Sequence, residues 1–315
     1  MRMRAVRIVA PRRAETLQVP LPRPGPNEVR VRLEGCGVCG SNLPVWQGRP
    51  WFEYPLPPGA PGHEGWGVID GVGKDVVSAA PGDRVAFLSG HAYAEYDIAQ
   101  GSEIVAAPPG TAIFPGEALG CAVNAFRRSG IRAGETVAVV GVGFIGAVIA
   151  ELASRAGALV IALSRRPFAL DIARSAGALA TIGLKGSDPV AEFMAITAGK
   201  GADCVVEAAG EQAALDVASR ITRIRGRLVI AGYHQGERKI DMQLWNWRGI
   251  DVVNAHERDP RIYVDGMRAA AAAVAEGRID PSFLYTHAFS LDDFPAAFAA
   301  LEERPEGFLK SWIRA

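Results

Sequence analysis

The spacing of hydrophobic residues changes near residue 121. Before that point, short β-type runs such as 29–33 and 67–69 are separated by Pro- and Gly-rich turns, which is typical of irregular β-structure. After it, unbroken apolar runs alternate with Ala-rich stretches, as in buried parallel strands flanked by helices. The sequence therefore predicts the α/β fold class, with a β domain followed by a parallel sheet. The predicted strands are 136–140, 159–163, 204–207 and 227–231, and the predicted helices are 145–156, 167–176 and 211–224.

The residue pattern changes again in the last part of the chain. The alternation of strands and helices ends near Asn254, and a long Ala-rich helix predicted at 263–276 leads into the final residues. We find no internal repeat and no low-complexity linker, so we expect this tail to rejoin the β domain. The predicted domains are 1–122 together with 254–315, and an inserted domain at 123–253.

Charge and composition exclude several classes of function. The 34 Lys and Arg residues balance 34 Asp and Glu residues, so no net charge attracts nucleic acid or an anionic membrane surface. The longest apolar run, 137–150, contains glycines and is shorter than the ~20 residues that span a bilayer. No apolar segment of a secretion signal follows Arg2 and Arg4. We expect a cytoplasmic protein with a small-molecule substrate and neither nucleic acid nor membrane as a partner.

A glycine-rich turn follows the first predicted strand of the inserted domain. It is the GxGxxG pattern Gly141, Gly143, Phe144, Ile145 and Gly146, placed directly before a predicted helix. The first glycine permits a tight turn, the second lets the backbone approach a pyrophosphate, and the third lets the helix pack closely on the strand. The sequence predicts a dinucleotide-binding Rossmann domain, and a plain glycine turn is the alternative.

The residues after the second predicted strand bear on which dinucleotide binds. An NAD site carries an acidic residue there for the ribose 2′-hydroxyl, whereas this chain has Ser164, Arg165 and Arg166. Guanidinium groups match the geometry of a phosphate. The sequence therefore predicts a preference for NADP(H) over NAD(H), and the alternative is that both arginines are the solvated start of a helix.

Cysteine, histidine and acidic residues of the β domain are spaced like metal ligands. Cys39 lies in a Gly-rich run, His63 precedes Glu64, and Cys121 follows Gly120. Two cysteines and a histidine form the ligand set of an open catalytic zinc, whose fourth position takes water or substrate. With these residues the chain resembles, over nearly its whole length, the zinc-dependent medium-chain dehydrogenase/reductase family of alcohol and polyol dehydrogenases. The motifs that carry the resemblance are GHE at 62–64, PGDRV at 81–85, AEY at 94–96, GC at 120–121, GVGFIG at 141–146, VEAAG at 206–210 and GFLK at 307–310.

The resemblance implies a fold and a metal site. The fold would be a GroES-like irregular β-barrel catalytic domain with an inserted Rossmann domain. One catalytic Zn²⁺ would be bound by Cys39, His63 and Cys121, and Glu64 would be an exchangeable fourth ligand. Ser41 would contact the substrate oxygen and relay its proton.

The resemblance also implies a reaction and an assembly. The reaction would be reversible hydride transfer between NADP(H) and an alcohol or carbonyl substrate. Lys310 would bind the cofactor phosphates, with a solvated surface lysine as the alternative. A homodimer would form through the strand near 250–253. Two other functions remain open: a zinc-free quinone or enone reductase of the same superfamily, and a non-catalytic NADPH-binding protein.

The chain departs from the family pattern at three places. Only residues 86–93 stand where many members insert a four-cysteine lobe with a structural zinc, so we expect one zinc. Asn42 replaces the usual Asp that supports the zinc-binding histidine; it could accept a hydrogen bond from the imidazole but brings no charge. Pro44 occupies the position of a proton-relay histidine.

The remaining cysteines and one histidine are predicted to have roles outside the metal ligand set. We expect Cys36 and Cys204 to be packed thiols. His234 follows a predicted strand end, where ligands of parallel sheets bind, and is a candidate for contact with the cofactor or substrate.

Overall fold

The computed structural model describes residues 1–186 and 188–315, which form two compact units. The first comprises Met1–Gly120 and Asp259–Ala315, and the second Cys121–Arg258. In chain order the strands are β1 Arg2–Ala10, β2 Arg13–Pro20, β3 Glu28–Gly37, β4 Glu64–Val72, β5 Arg84–Phe87, β6 Tyr96–Gln100, β7 Ile104–Ala106, β8 Thr136–Val140, β9 Leu159–Ser164, β10 Ala180–Gly183, β11 Ala202–Glu207, β12 Thr222–Ile230, β13 Asp251–Asn254, β14 His287–Ser290 and β15 Ser311–Arg314. The helices are α1 Leu43–Gln47, α2 Gly116–Ser129, α3 Phe144–Arg155, α4 Pro167–Ser175, α5 Pro189–Ile196, α6 Gln212–Ile221, α7 Met242–Arg248, α8 Pro260–Ala275 and α9 Phe294–Glu303. No helix among the described residues has the length and apolar composition that crossing a membrane requires.

The first unit is built around a mixed sheet in the order β14-β15-β3-β4-β5-β7, with β6 also paired to β3. In β3, Val29, Val31 and Leu33 are buried while the residues between them are more exposed, the period of two expected of a strand with one face on a core. The last strand, β15, pairs antiparallel with β3, so that Ile313 lies opposite Cys36. The end of the chain therefore completes the sheet of the first unit.

The second unit contains a six-stranded parallel sheet in the order β10-β9-β8-β11-β12-β13. Successive residues of β8 point to opposite faces: Val137 and Val139 belong to one hydrophobic cluster, and Ala138 and Val140 to the other. Because both faces are buried, residues 137–140 of the strand are an unbroken apolar run rather than an alternating one. The prediction of the α/β fold class, with a β domain followed by a parallel sheet, is confirmed.

Two predicted boundaries in the second unit are wrong. The helix predicted to run to residue 224 ends at Ile221, because the chain continues directly into β12. That strand in turn begins at Thr222, ahead of the predicted residue 227, and it contains Arg225 in the left-handed region at φ 58°. Charged residues interrupt the first half of this strand, so its hydrophobic pattern does not indicate a strand there.

Candidate metal and cofactor sites

Three potential metal ligands of the first unit come together beside strands β3 and β4. The thiol of Cys39, a ring nitrogen of His63 and a carboxylate oxygen of Glu64 all lie within 4.8 Å of one another. Cys39 directly precedes the 3₁₀ turn Gly40–Asn42, and Glu64 is the first residue of β4. Gly37 at the end of β3 pairs with Glu64, so the antiparallel ladder brings the two segments together. Sulfur, imidazole and carboxylate form a donor set that suits Zn²⁺.

The ring of His63 is oriented by a backbone carbonyl. Its Nδ1 atom lies 3.0 Å from the oxygen of Pro61, which can only accept, so Nδ1 carries the proton and Nε2 is left for a metal. Asn42 instead donates to the hydroxyl of Tyr93 at 2.7 Å and, at 3.4 Å, to the same Pro61 oxygen. The prediction that Asn42 supports the imidazole is therefore corrected: Pro61 accepts this hydrogen bond.

Cys39 also controls the protonation of His63. Burial alone would lower the pKa of the imidazole, but the hydrogen bond and the charge of Cys39 outweigh it and raise the pKa to about 10. The thiol therefore favours a proton on the ring of the metal-free protein. A metal ion has to displace this proton before the histidine can bind it.

Glu64 is a buried carboxylate held by two donors. The ammonium of Lys310 lies 2.7 Å from Oε1, and the hydroxyl of Tyr285 donates to Oε2 at 3.3 Å. Burial would raise the pKa of Glu64, but the positive charge of Lys310 outweighs it and lowers the pKa. Gly37 makes room for the carboxylate, since a Cβ atom there would come within 1.8 Å of Oε2.

The burial of Lys310 excludes one of the two roles predicted for it. Its side chain is 8% exposed, so the alternative of a solvated surface lysine is wrong. Contact with cofactor phosphates stays a prediction. Tyr285 was not found by sequence reasoning, since it belongs to no metal or nucleotide motif and reaches Glu64 only through the fold.

The other candidates of the metal site occupy separate positions. Ser41 lies in the 3₁₀ turn, partly buried, and its hydroxyl donates to the Asn42 side-chain oxygen at 3.4 Å. Cys121 is partly buried in α2 and is not a member of the three-residue group, so its role as a ligand stays a prediction. The thiol of Cys36 is buried and bonded to the Gly37 carbonyl at 3.5 Å, as a packed residue should be.

The glycine-rich turn lies between β8 and α3 in the second unit. Gly141 has φ 98°, and a Cβ atom there would meet Ala209 at 2.7 Å, so both its conformation and its surroundings require glycine. A Cβ atom on Gly146 would come within 2.1 Å of the Gly141 oxygen. Helix α3 begins at Phe144, and its N-cap residue is Gly143, which has no side chain to cap the helix. A glycine-rich turn that leads into a helix N-terminus is the usual binding site for a pyrophosphate.

The serine and arginines predicted to select the cofactor lie beside this turn. Ser164 is the buried last residue of β9, and Arg166 precedes α4. The Arg166 guanidinium donates to the carbonyl of Val142, inside the glycine-rich turn, at 3.5 Å. The side chain of Arg165 is exposed. A hydrogen bond thus joins two motifs that are separate in sequence.

Family models match most of the chain. Residues 25–128 match the alcohol dehydrogenase GroES-like domain, and residues 145–271 match the zinc-binding dehydrogenase domain. The chain belongs to the medium-chain dehydrogenase/reductase family. It is an oxidoreductase of the alcohol and polyol dehydrogenase type, and its first unit is GroES-like.

Individual members of the medium-chain dehydrogenase/reductase family match along most of their length. An alcohol dehydrogenase of Cupriavidus necator is 27% identical over 99% of this chain and 98% of its own. Chicken (Gallus gallus) sorbitol dehydrogenase is 29% identical over 91% of this chain and 90% of its own. A crystal structure from Sinorhizobium meliloti 1021, described as a zinc-binding dehydrogenase bound to NADP, has a TM-score of 0.86 at 28% identity and covers 100% of both chains.

The medium-chain dehydrogenase fold also brings His234 against a buried carboxylate. The Nε2 atom of His234 lies 2.8 Å from Glu207, and its Nδ1 accepts from Arg238 at 2.9 Å. Glu207 is fully buried at the end of β11 and accepts the amides of Ala209 and Gly210, both at 2.8 Å. His234 thus links the loops that follow β11 and β12, and its contact with cofactor or substrate stays a prediction.

Proposed function

We propose that this protein is a zinc-dependent oxidoreductase that transfers a hydride between NADP(H) and an alcohol or carbonyl substrate. The observation that carries the proposal is the grouping of Cys39, His63 and Glu64 within 4.8 Å. Such a cluster of thiol, imidazole and carboxylate beside the 3₁₀ turn Gly40–Asn42 favours a metal-dependent reaction over the zinc-free quinone or enone reductase.

One catalytic Zn²⁺ would be held by Cys39, His63 and Cys121, with Glu64 able to take the fourth position. His63 fits this role because its Nδ1 atom is already engaged by the Pro61 carbonyl. Zinc in such a site acts as a Lewis acid on the substrate oxygen. The chain has four cysteines, of which Cys36 and Cys204 are buried thiols that are not members of the group of Cys39, His63 and Glu64, which supports a single metal rather than two.

Ser41 would move the proton of the substrate hydroxyl. Its side chain is partly buried, two residues after Cys39. The Ser41 hydroxyl donates a hydrogen bond to the Asn42 side-chain oxygen, and this bond fixes the direction of the lone pairs on the hydroxyl. Those lone pairs are the acceptors for a substrate hydroxyl. Pro44 has no side-chain donor or acceptor, so the proton would leave through water or the cofactor ribose.

The cofactor would bind on the second unit. The start of α3 would hold the pyrophosphate, and Ser164, Arg165 and Arg166 would hold the 2′-phosphate of NADP(H). The NADP in the Sinorhizobium meliloti relative is consistent with this preference. A homodimer would form through the exposed edge strand β13, and a cytoplasmic location stays our expectation.

The proposal is tested by metal analysis and an assay of hydride transfer on the same preparations. We expect one zinc per chain after expression with zinc, and oxidation of NADPH with at least one class among aldehydes, ketones and sugars. Cys39→Ala should lose both, whereas Cys204→Ala, which removes a thiol buried in the core of the second unit, should keep both. Activity that is equal with and without zinc would contradict the proposal.

A further inference from the structure

Tyr285 aims a buried hydroxyl at the carboxylate of Glu64. The residue lies in the segment between α8 and β14 and is 7% exposed. Its ring packs edge-on against Trp66 with centroids 5.9 Å apart, and its hydroxyl lies 3.3 Å from Oε2 of Glu64. Gly37 leaves room for both groups, because a Cβ atom there would lie 2.9 Å from the hydroxyl. The packing therefore fixes the direction in which this hydroxyl points.

Glu64 consequently has two sets of competing partners. On one side are the ammonium of Lys310 and the hydroxyl of Tyr285, each bonded to a different carboxylate oxygen. On the other side is the metal position, since a Glu64 oxygen also lies within 4.8 Å of the donor atoms of Cys39 and His63. A carboxylate has a limited number of lone pairs, and a lone pair that accepts a hydrogen bond is less available to a metal ion.

We infer that Tyr285 is a positioning residue that limits how far the Glu64 carboxylate enters the metal position. The inference rests on the proposed metal site. Without the tyrosine hydroxyl, Oε2 would lose a donor in a buried environment, where an unsatisfied charged group is costly. A metal ion would then be the partner that compensates the loss, so Glu64 would bind the ion more strongly.

This role differs from that of Lys310. Lys310 neutralises the charge of Glu64, so its removal changes the electrostatics of the whole group as well as the position of the carboxylate. Tyr285 contributes a neutral donor on one oxygen. Replacing it by phenylalanine keeps the ring on Trp66 and removes only the hydroxyl, which makes Tyr285→Phe a narrow test of position.

The first measurement is the affinity for Zn²⁺, obtained by competition with a chelator of known affinity. We expect Tyr285→Phe to bind Zn²⁺ on the order of 10-fold more tightly than the wild type. The size is the lower end of the changes caused by removing partners of metal ligands, and the sign is opposite to the usual loss because this partner competes with the metal ion for Glu64. The matched control is Tyr54→Phe, which removes a hydroxyl bonded to the Val45 carbonyl in the same unit and should leave the affinity unchanged. An unchanged or weakened affinity in Tyr285→Phe overturns the inference.

A double-mutant cycle separates positioning from packing. In the Glu64→Gln background the carboxylate is gone, so adding Tyr285→Phe should no longer change the Zn²⁺ affinity. The visible absorption of the Co²⁺-substituted protein should follow the same rule: it changes with Tyr285→Phe alone and not in the Glu64→Gln background. An effect of equal size in both backgrounds would mean that Tyr285 acts through packing, and the inference would be wrong.

The outcomes also distinguish this inference from the proposed function. If the wild type binds Zn²⁺ and Tyr285→Phe matches it in affinity and in the Co²⁺ spectrum, the inference alone fails. If the wild type binds neither Zn²⁺ nor Co²⁺, the proposed metal site fails and the inference fails with it.

Discussion

The ammonium of Lys310 lies 2.7 Å from the Oε1 atom of Glu64, and both side chains are buried. Lys310 directly precedes β15, the last strand of the chain, and Glu64 begins β4. The two strands flank β3 in the same sheet, which is how residues from opposite ends of the sequence meet. Because Lys310 meets Glu64 only when β15 joins the sheet, formation of the complete sheet determines the charges that surround the carboxylate of the metal group.

Removing the positive partner should destabilise the fold. Lys310→Met keeps most of the side-chain volume but leaves a buried carboxylate without its ammonium, a change that costs about 3–5 kcal/mol in buried pairs. We expect the free energy of unfolding, measured by urea denaturation, to fall by that amount. Adding Glu64→Gln should restore much of it, because the uncompensated charge is then gone. Lys200→Met, at an exposed lysine, is the control and should have little effect.

The same pair predicts how stability depends on pH. The folded-state pKa of Glu64 is lowered, mainly by the charge of Lys310 against the opposing effect of burial. The stabilisation is therefore present above the unfolded-state pKa, about 4.3 for a glutamate, and is lost as the pH falls through the lower folded-state value. Unfolding free energies measured from neutral to acidic pH should decline in the wild type. The Lys310→Met, Glu64→Gln double variant should decline less, and parallel pH profiles for the two proteins would refute the assignment.

The sheet of the second unit was predictable because its strands are buried on both faces. Residues 137–140 are apolar throughout, and their two faces pack on different clusters, so a sequence pattern alone identifies the strand. The turn that follows was predictable for a different reason. Gly141 and Gly146 stand where a side chain would collide with the backbone or with Ala209, so their glycines are required by geometry that the motif encodes.

Contacts between distant segments could not be predicted in the same way. Tyr285 reaches Glu64 because the tail returns to β3, and no local pattern marks it as a partner. The imidazole of His63 is held by a carbonyl, a group that every residue has and that carries no signal in the sequence. Helix α2 was not predicted either, since Gly116 and Gly120 weaken a helical pattern that tertiary packing stabilises.

Ser164 should control the choice of cofactor. It ends β9 beside the glycine-rich turn, where a carboxylate would accept the ribose hydroxyls and repel a 2′-phosphate. We expect Ser164→Asp to shift the ratio of kcat/KM values toward NADH, chiefly through a higher KM for NADPH. Ser175→Asp, at the exposed far end of α4, introduces the same charge away from the turn and should leave the ratio unchanged. Equal kcat/KM for both cofactors in the wild type would show that the site does not discriminate.

Ser41 allows the proton relay to be separated from metal binding. Ser41→Ala should lower kcat by ~10² to 10⁴, the usual contribution of general acid–base catalysis, while zinc content and NADPH affinity stay at wild-type values. Those two quantities should persist because the hydroxyl bonds to Asn42 and is not a member of the group formed by Cys39, His63 and Glu64.

Two further variants make the interpretation specific. Ser41→Thr keeps a hydroxyl at the same position and should retain far more activity than Ser41→Ala, because the relay needs the hydroxyl and not the rest of the side chain. Cys39→Ala should lose zinc together with activity, since it removes a ligand rather than a proton carrier. If Ser41→Ala turned over at the wild-type rate under conditions where the chemical step limits kcat, the hydroxyl would carry no proton in the reaction. Its hydrogen bond to Asn42 would then only stabilise the 3₁₀ turn beside Cys39.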